Sequence, residues 1–467
     1  MAFEETIRSM LISKDFFSGD EPVMIARAPG RLDLMGGNDD YTGGLVFEST
    51  IREATYAAAQ LRGDRSVQLK NKTVSDAGWK GAINISLDEL KDEHKVKEFV
   101  NQSSDIRWTA YVLGNIHFLL KKFPHKINVG VSIYMESTVP LNRGVSSSAA
   151  IEVAVMKSCA AVYGIDLKGI ELALACQWVE NVICDSACGI MDQIAVVSGK
   201  AGYVLPLVCQ PCIPEELIQL PGPLAVWGID SGVSHQVAGI EYEAARAAAF
   251  MGYKIICDLE HIPVTREQLG DIPRYTDPVW NGYLANLSYA VFHGSYEHQL
   301  PLTMSRAQYL QDHEEHVDPF TPLKDGVPYH VRANTRYAVQ ENQRVQLFSE
   351  LSRGASLAPS ERSFILMGEL MYQSHYSYTE CGLGAQATDF LVELFRKHGA
   401  KEGVYGAKIT GGGAGGTVAI LAKAEAGPLV KSIFEEYVKA GLGKPYLFEG
   451  SSDGADRFGI KKITQTN

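Results

Sequence analysis

Five of the six residues from Gly411 to Gly416 are glycine, within the run Lys408-Ile-Thr-Gly-Gly-Gly-Ala-Gly-Gly-Thr417. No regular element holds such a run, because glycine loses the most backbone freedom on folding and brings no side chain to pack. A folded chain keeps it where backbone must approach a ligand closely and aim amides at it. A flexible hairpin loop is the competing reading, but hairpins use two to five loop residues and rarely so many glycines. The same bias runs through the chain. Of 44 glycines, 12 fall in residues 28–44, 140–150 and 406–416, which make up only 39 of 467 positions.

The middle stretch, Pro140 to Ala150, reads PLNRGVSSSAA. Gly144 permits a tight turn, three serines follow, and a helix-forming run begins at once. Unpaired N–H groups at a helix start, with the helix dipole behind them, make an anion site. An ordinary N-cap needs one serine, so three after a glycine favour phosphate. No GK[ST] is present, so this is not the Walker pattern. The first stretch, from Arg27 to Gly44, sets Arg31 among Asp33, Asp39 and Asp40. Carboxylates beside an amide suit the vicinal hydroxyls of a sugar; a solvated acidic turn has the same composition, and these residues alone leave both open.

Forty-three basic against 55 acidic residues give a net charge of −12, which repels nucleic acid and anionic lipid. The N-terminus lacks the apolar core of a signal peptide, and no apolar run reaches membrane-spanning length. Eight cysteines are too few for a disulfide scaffold, so a cytoplasmic enzyme with reduced thiols is expected. Cys209 and Cys212 form a lone CxxC in a proline-flanked loop, and His313 and His316 read as a solvated helix face. Strands are predicted at 22–29, 45–51, 54–60, 66–70, 129–137 and 224–232. Helices are predicted at 107–122, 149–164, 168–184 and 241–259. Residues 76–104 read as polar and irregular, and 260–331 as an elaborated connection with short helices. The mixture predicts an α+β chain dividing at the LPGPL turn, into 1–222 and 223–467.

Taken in order, the three stretches resemble the motifs of the GHMP small-molecule kinases, in particular the galactokinase branch. APGRLDLMGGNDDYTGG matches that branch's sugar signature, PLNRGVSSSAA its phosphate loop and KITGGGAGG its third motif. CQWVENVICDSACGIMDQ (176–193) matches the stretch carrying the metal ligand and base. Further phrases, among them WGIDSGVSH, HYSYTECGLGAQATD and FEGSSDGADRFG, resemble the kinase portion of plant L-arabinokinases, and the likeness spans residues 27 to 459. The extra N-terminal glycosyltransferase-like region of those enzymes has no counterpart here, so a stand-alone kinase is expected.

The resemblance implies a two-domain α+β fold: an N-terminal domain on a five-stranded mixed sheet, a ferredoxin-like C-terminal domain, and the active site in the cleft between. It implies Asp192 as the catalytic carboxylate with Arg31 beside it. ATP and Mg²⁺ are implied, with the metal on Glu180 and Ser148, or Ser147 in its place. Gly144, Ser146 and Ser147 would donate to the β-phosphate, and Gly411, Gly412 and Gly413 would shape the cleft. Trp108 and Tyr111 lie in the stretch near the adenine pocket, where core aromatics are the other reading. Gly189 and Tyr242 match sugar-contacting positions. Where galactokinases read GEHTDY, this chain has Gly37 and Asn38 in place of Glu and His, while Asp40 and Tyr41 are retained. Losing a carboxylate that would meet a C6 hydroxyl argues for a pentose. The expected activity is therefore phosphorylation of the anomeric hydroxyl of L-arabinose, with galactose or galacturonate as alternatives. A non-catalytic sugar sensor would show damage at Arg31, Ser146 to Ser148, Glu180 or Asp192, and all are present. The expected partners are a small sugar and a nucleotide, with no nucleic acid and no membrane, on a monomer or weak dimer.

Overall fold

A computed structural model of the chain describes residues 2–18, 21–233, 238–269 and 272–465. Ser234 and His235 of the WGIDSGVSH phrase lie outside the described residues. In chain order the strands are β1 (Val23–Met35), β2 (Leu45–Leu61), β3 (Ser66–Asn71), β4 (Ala82–Ser86), β5 (Val131–Ser137), β6 (Tyr203–Val208), β7 (Ile213–Pro214), β8 (Ile218–Gln219), β9 (Leu224–Asp230), β10 (Thr265–Leu269), β11 (Ile272–Thr276), β12 (Val404–Ile409), β13 (Thr417–Lys423), β14 (Tyr446–Glu449) and β15 (Lys461–Ile463).

The first sheet runs β15-β1-β2-β5-β3-β4, with β6 on the other part of long β2 and β7 and β8 on β6. It is mixed, because β3 and β5 pair in parallel while its other pairs are antiparallel. Among the described residues it has nine strands rather than the expected five. Three of them are β6, β7 and β8, and β15 returns from the far end of the chain. β1 does not stop at Pro29 as expected: a register shift between Pro29 and Arg31 absorbs the proline, and pairing with β2 resumes at Arg31–Thr50. The predicted strands 45–51 and 54–60 are one strand. Residues 76–104 are more ordered than their polarity suggested, holding β4 and the helix Glu93–Val100. Only alternate residues of β4 face inward, and only Val96 and Val100 of the helix are buried, so the apolar signal is thin.

Helices Ala110–Lys122, Ser147–Val162, Gly169–Trp178 and Met191–Ser198 pack on this sheet around the largest core. Ser147–Val162 is buried along most of its length, so its start is fixed in place. The helix expected over 168–184 is broken at Trp178, where a wider π-turn, Val179–Ile183, takes over and carries Glu180.

The second sheet, β12-β13-β9-β14, is wholly antiparallel. Leu391, Val392, Leu394 and Phe395 of helix Gln386–His398 and Val430 and Ile433 of helix Gly427–Lys439 share one core with it. The glycine run closes the β12–β13 hairpin, with Thr410 donating to the Thr417 carbonyl at 2.9 Å. It is a hairpin loop after all, with glycines serving close approach within it. Segment 260–331 contains the hairpin β10–β11 besides short helices, and packs on helix Ala238–Leu259 through Trp280, Phe292, Tyr296 and Tyr309. His313 and His316 are not a solvated face. His313 bonds Asp258 at 2.6 Å and stacks on Tyr309, and His316 is buried.

Besides apolar packing, such as Phe448 on Leu32, a fully buried ion pair joins the two sheets. Lys408 of β12 reaches Asp33 of β1 at 2.7 Å, and neither side chain has any exposed surface. Removing one partner of a buried pair leaves an uncompensated charge. Lys408→Met should therefore cost about 3–5 kcal/mol of unfolding free energy, read from denaturant midpoints. Adding Asp33→Asn should recover most of the loss.

Candidate active site

The sugar-like loop, the serine loop and the glycine run converge because each is anchored to the others by backbone contacts. Arg31 N donates to the Val145 carbonyl at 3.2 Å. Gly30 permits this approach, since a Cβ there would lie 2.6 Å from the same carbonyl oxygen. Thr417 Oγ1 donates to the Arg143 carbonyl at 2.7 Å, and Arg143 pairs with Asp230 at 3.2 Å. Gly411 lies against Arg31 and the Gly144 carbonyl.

At the junction Arg31 is almost fully buried. Its Nε donates to Asp192 Oδ1 at 2.8 Å, its Nη2 lies 2.6 Å from the same oxygen, and its Nη1 donates to the Gly144 carbonyl at 2.8 Å. Three carboxyls around it, led by Asp192, hold the guanidinium charged despite burial. Asp192 is on the first turn of helix Met191–Ser198 and is about one-fifth exposed, so it is the member of the pair open to a ligand. Both line a cavity of about 640 Å³ that also holds Gly144, Ser146, Ser147, Ser148 and Gly412.

The serine loop is not an ordinary cap. Ser146, the N-cap of helix Ser147–Val162, sits in the left-handed region at φ 57° and makes no side-chain capping bond. Its hydroxyl is buried without a partner. First-turn N–H groups are thus left for an anion. Further along the cavity are Trp79, Trp108 and Tyr111. Trp108 is anchored by its indole N–H on the Lys80 carbonyl at 3.2 Å. Trp79 and Asn71, also lining, escaped sequence reasoning because they lie in or beside the stretch read as irregular.

Glu180 does not line the cavity but stands directly behind it. Ser148 and Cys188 hydrogen-bond its carboxylate, and Gln193 Nε2 donates to it at 2.7 Å. Burial, with Asp192 adding repulsion, pushes Glu180 up to about 7. A serine hydroxyl touching a buried, electron-rich carboxylate beside a phosphate loop fits Mg²⁺, which takes few protein oxygens and fills its shell with phosphate and water. Of the two serines considered, Ser148 is the one in contact with Glu180.

On the sugar side, Asp40 is buried and pushed up to about 6, first by burial and then by Asp192. Gly189 makes room for it: a Cβ there would overlap the Asp40 carboxylate. Asn38, at φ 64°, accepts from the Tyr41 hydroxyl at 2.9 Å. Tyr41 meets Tyr242 edge to face, and Tyr242 lies over Gly412. Gly37 is enclosed rather than open. A Cβ there would run into the Asp33 carboxylate and the Tyr378 hydroxyl, and its carbonyl accepts from Tyr337. Gly413 packs on Leu383 and Tyr378, away from the cavity. Sequence reasoning missed Arg246, which lies over the Tyr41 ring and is held bidentate by Asp318 at 2.8 and 2.9 Å. No local motif marks that pair, which spans 72 residues.

Among the described residues no helix is long and apolar enough to cross a membrane. Residues 14–61 match the galactokinase galactose-binding signature, 110–200 the GHMP kinases N terminal domain and 355–440 the GHMP kinases C terminal domain. An L-arabinokinase of Arabidopsis thaliana is 34% identical over 98% of this chain; the chain spans 48% of that protein's length. A galactokinase of Chloroflexus aggregans is 32% identical, covering 88% of this chain and 86% of its own length. The fold matches Lactococcus lactis galactokinase complexed with galactose at a TM-score of 0.74 and 21% identity, over 99% of this chain and 100% of that one. The chain belongs to the GHMP kinase family, as a sugar kinase of its galactokinase branch.

Proposed function

We propose that the protein transfers the γ-phosphoryl group of ATP to the anomeric hydroxyl of L-arabinose, giving L-arabinose 1-phosphate. The Arg31–Asp192 pair at the meeting point of the three loops carries this reading. Asp192 accepts the proton of the sugar hydroxyl as that oxygen attacks the phosphorus, and ADP leaves. A carboxylate is a weak base toward a hydroxyl, so positioning and charge stabilisation supply most of the acceleration. Arg31 pairs with the Asp192 carboxylate and faces the transferring group. Gly144 and Ser146 to Ser148 hold phosphate through backbone N–H groups, with Trp108 and Tyr111 along the base end of the cavity. Ser148 and Glu180 would hold Mg²⁺, which neutralises phosphate charge when bound. Asp40, Tyr242, Asn38 and the backbone at Gly37 and Gly189 form the sugar end. The working halves are 1–222 and 223–467, with β15 crossing back to the first sheet.

Three observations support a pentose. The volume a side chain at position 37 would enter is filled by the Tyr378 hydroxyl and by the Asp33 carboxylate, which is paired with Lys408, so position 37 itself offers no carboxylate to a C6 hydroxyl. The Asn38 carbonyl is spent on Tyr41. The nearby cation, Arg246, is neutralised by Asp318, which leaves little to attract a uronate. Neither Arg52 nor Arg143, the other basic residues considered, supplies one: Arg52 is largely exposed and Arg143 pairs with Asp230. Galactose is the second reading, favoured by the galactokinase relatives.

Phosphorylation should be measured across L-arabinose, D-galactose, D-galacturonate and D-glucuronate. A higher kcat/KM for galactose than for arabinose would sink the pentose reading. Asp192→Asn should lower kcat by about 10²–10⁴-fold with ATP affinity kept; an active variant means the base lies elsewhere. An ionised Asp40 is a stronger acceptor for a sugar hydroxyl than a protonated one. Sugar affinity by calorimetry should therefore fall as pH drops through about 6, and Asp40→Asn should bind weakly with no such dependence.

A further inference from the structure

Of the three carboxyls around Arg31, Glu48 alone has neither a part in the proposed reaction nor a hydrogen bond to a cation. On β2 it stands directly across the ladder from Asp33, and Arg31 lies two residues before Asp33 on the same face of β1. The three side chains therefore crowd one buried patch, with Lys408 entering from β12 and Asp192 from its helix. Asp33 is taken by Lys408 and Asp192 by the Arg31 fork. Glu48 has no exposed side-chain surface, and neither of its oxygens makes a hydrogen bond. Its Oε2 lies 3.5 Å from Arg31 Nε, an ion pair without a hydrogen bond, because the single Nε–H is given to Asp192.

Such a group is a liability to the fold. Burying a carboxyl that accepts no hydrogen bond is costly, and placing it opposite another acid on a ladder is unfavourable. An apolar residue of the same shape would stabilise the protein. Burial and the Asp33 carboxylate push the Glu48 carboxyl well above the usual range. A group retained against stability at a catalytic junction points to function.

We propose that Glu48 is a positioning residue for Arg31, a reserve acceptor on the Nε side that keeps the guanidinium in place when Asp192 takes up the sugar proton. While Asp192 is ionised it holds Nε and Nη2. Once protonated it attracts them less, and the phosphoryl group being transferred attracts the guanidinium more. An oxygen within half an ångström or so of bonding distance to Nε opposes that drift. No bond is made to or broken at Glu48. This inference rests on the proposed roles of Arg31 and Asp192.

The test is Glu48→Met beside Glu48→Gln, assayed with whichever sugar the wild type turns over fastest. Glu48→Met should unfold at no lower denaturant concentration than wild type. Its kcat should fall about tenfold or more, the scale of a misplaced catalytic group, with both KM values within about twofold. Glu48→Gln keeps an acceptor oxygen and should recover kcat to within about threefold of wild type. A Met variant with wild-type kcat overturns the proposal. So does one that loses stability and shifts kcat and KM together, as does a Gln variant as slow as the Met variant. If the wild type phosphorylates no sugar, the functional reading fails by itself. The crystal structure of Glu48→Met then decides: Arg31 displaced from Asp192 supports the positioning role, and Arg31 unmoved overturns it.

Discussion

The Lys408–Asp33 pair is the constraint on which the site depends. Two sheets far apart in sequence must meet in one register for three loops to converge, and apolar contacts alone do not specify that register finely. A fully buried ion pair does, because any misplacement leaves a charge in a low-dielectric interior. Once Lys408 is seated, the Asp33 backbone N–H donates to Thr410 Oγ1 at 2.7 Å and Gly411 is carried onto Arg31 and Gly144. Thr417, at the other end of the same loop, bonds the Arg143 carbonyl. The glycine run is thereby tied at both ends, and its freedom is confined to the residues that must pass close to other backbone.

Arg31 then organises the charge. It is a single cation facing Asp192, Glu48 and Asp33, with the Gly144 carbonyl as a further acceptor. Its planar fork can serve acceptors in several directions at once, which a lysine could not. This arrangement explains how a chain of net charge −12 can hold a nucleotide. The acidic surplus is spread over the surface and in buried clusters, while the phosphate loop presents uncapped N–H groups and one well-supported guanidinium.

Local chemistry was legible in the sequence, and long-range pairing was not. Gly144, the serine triplet and the glycine run announce themselves because each needs an unusual residue type at fixed spacing. Asp192 and Glu180 were legible only through family resemblance, since an aspartate on a first helical turn and a glutamate on a helix are commonplace. β1 ran past Pro29 because the bulge that absorbs a proline depends on its partner strand. His316 looked solvated amid charged neighbours, yet its burial depends on a segment folded back onto another helix. Glu48, Arg246 and the function of Lys408 were invisible for the same reason: each is defined by a partner on another element. The uncapped Ser146 is instructive too, as the residue type predicts a cap and the backbone at φ 57° denies it.

Position 37 shows how selectivity and assembly become one packing problem. In galactokinases a glutamate stands there. Here the volume beside Gly37 is occupied by Asp33, itself locked to Lys408, and by Tyr378, whose hydroxyl donates to the Gly411 carbonyl at 2.8 Å. Tyr337 closes the other side, donating to the Gly37 carbonyl and packing edge to face on Tyr378. A glutamate introduced at 37 would meet the ion pair that joins the two sheets before it could reach a sugar. Exchanging the sugar loop alone therefore cannot convert one specificity into the other. Asp33, Lys408 and Tyr378 would have to change with it, so the residues around the proposed distal end of the sugar pocket also set how the two sheets fit together.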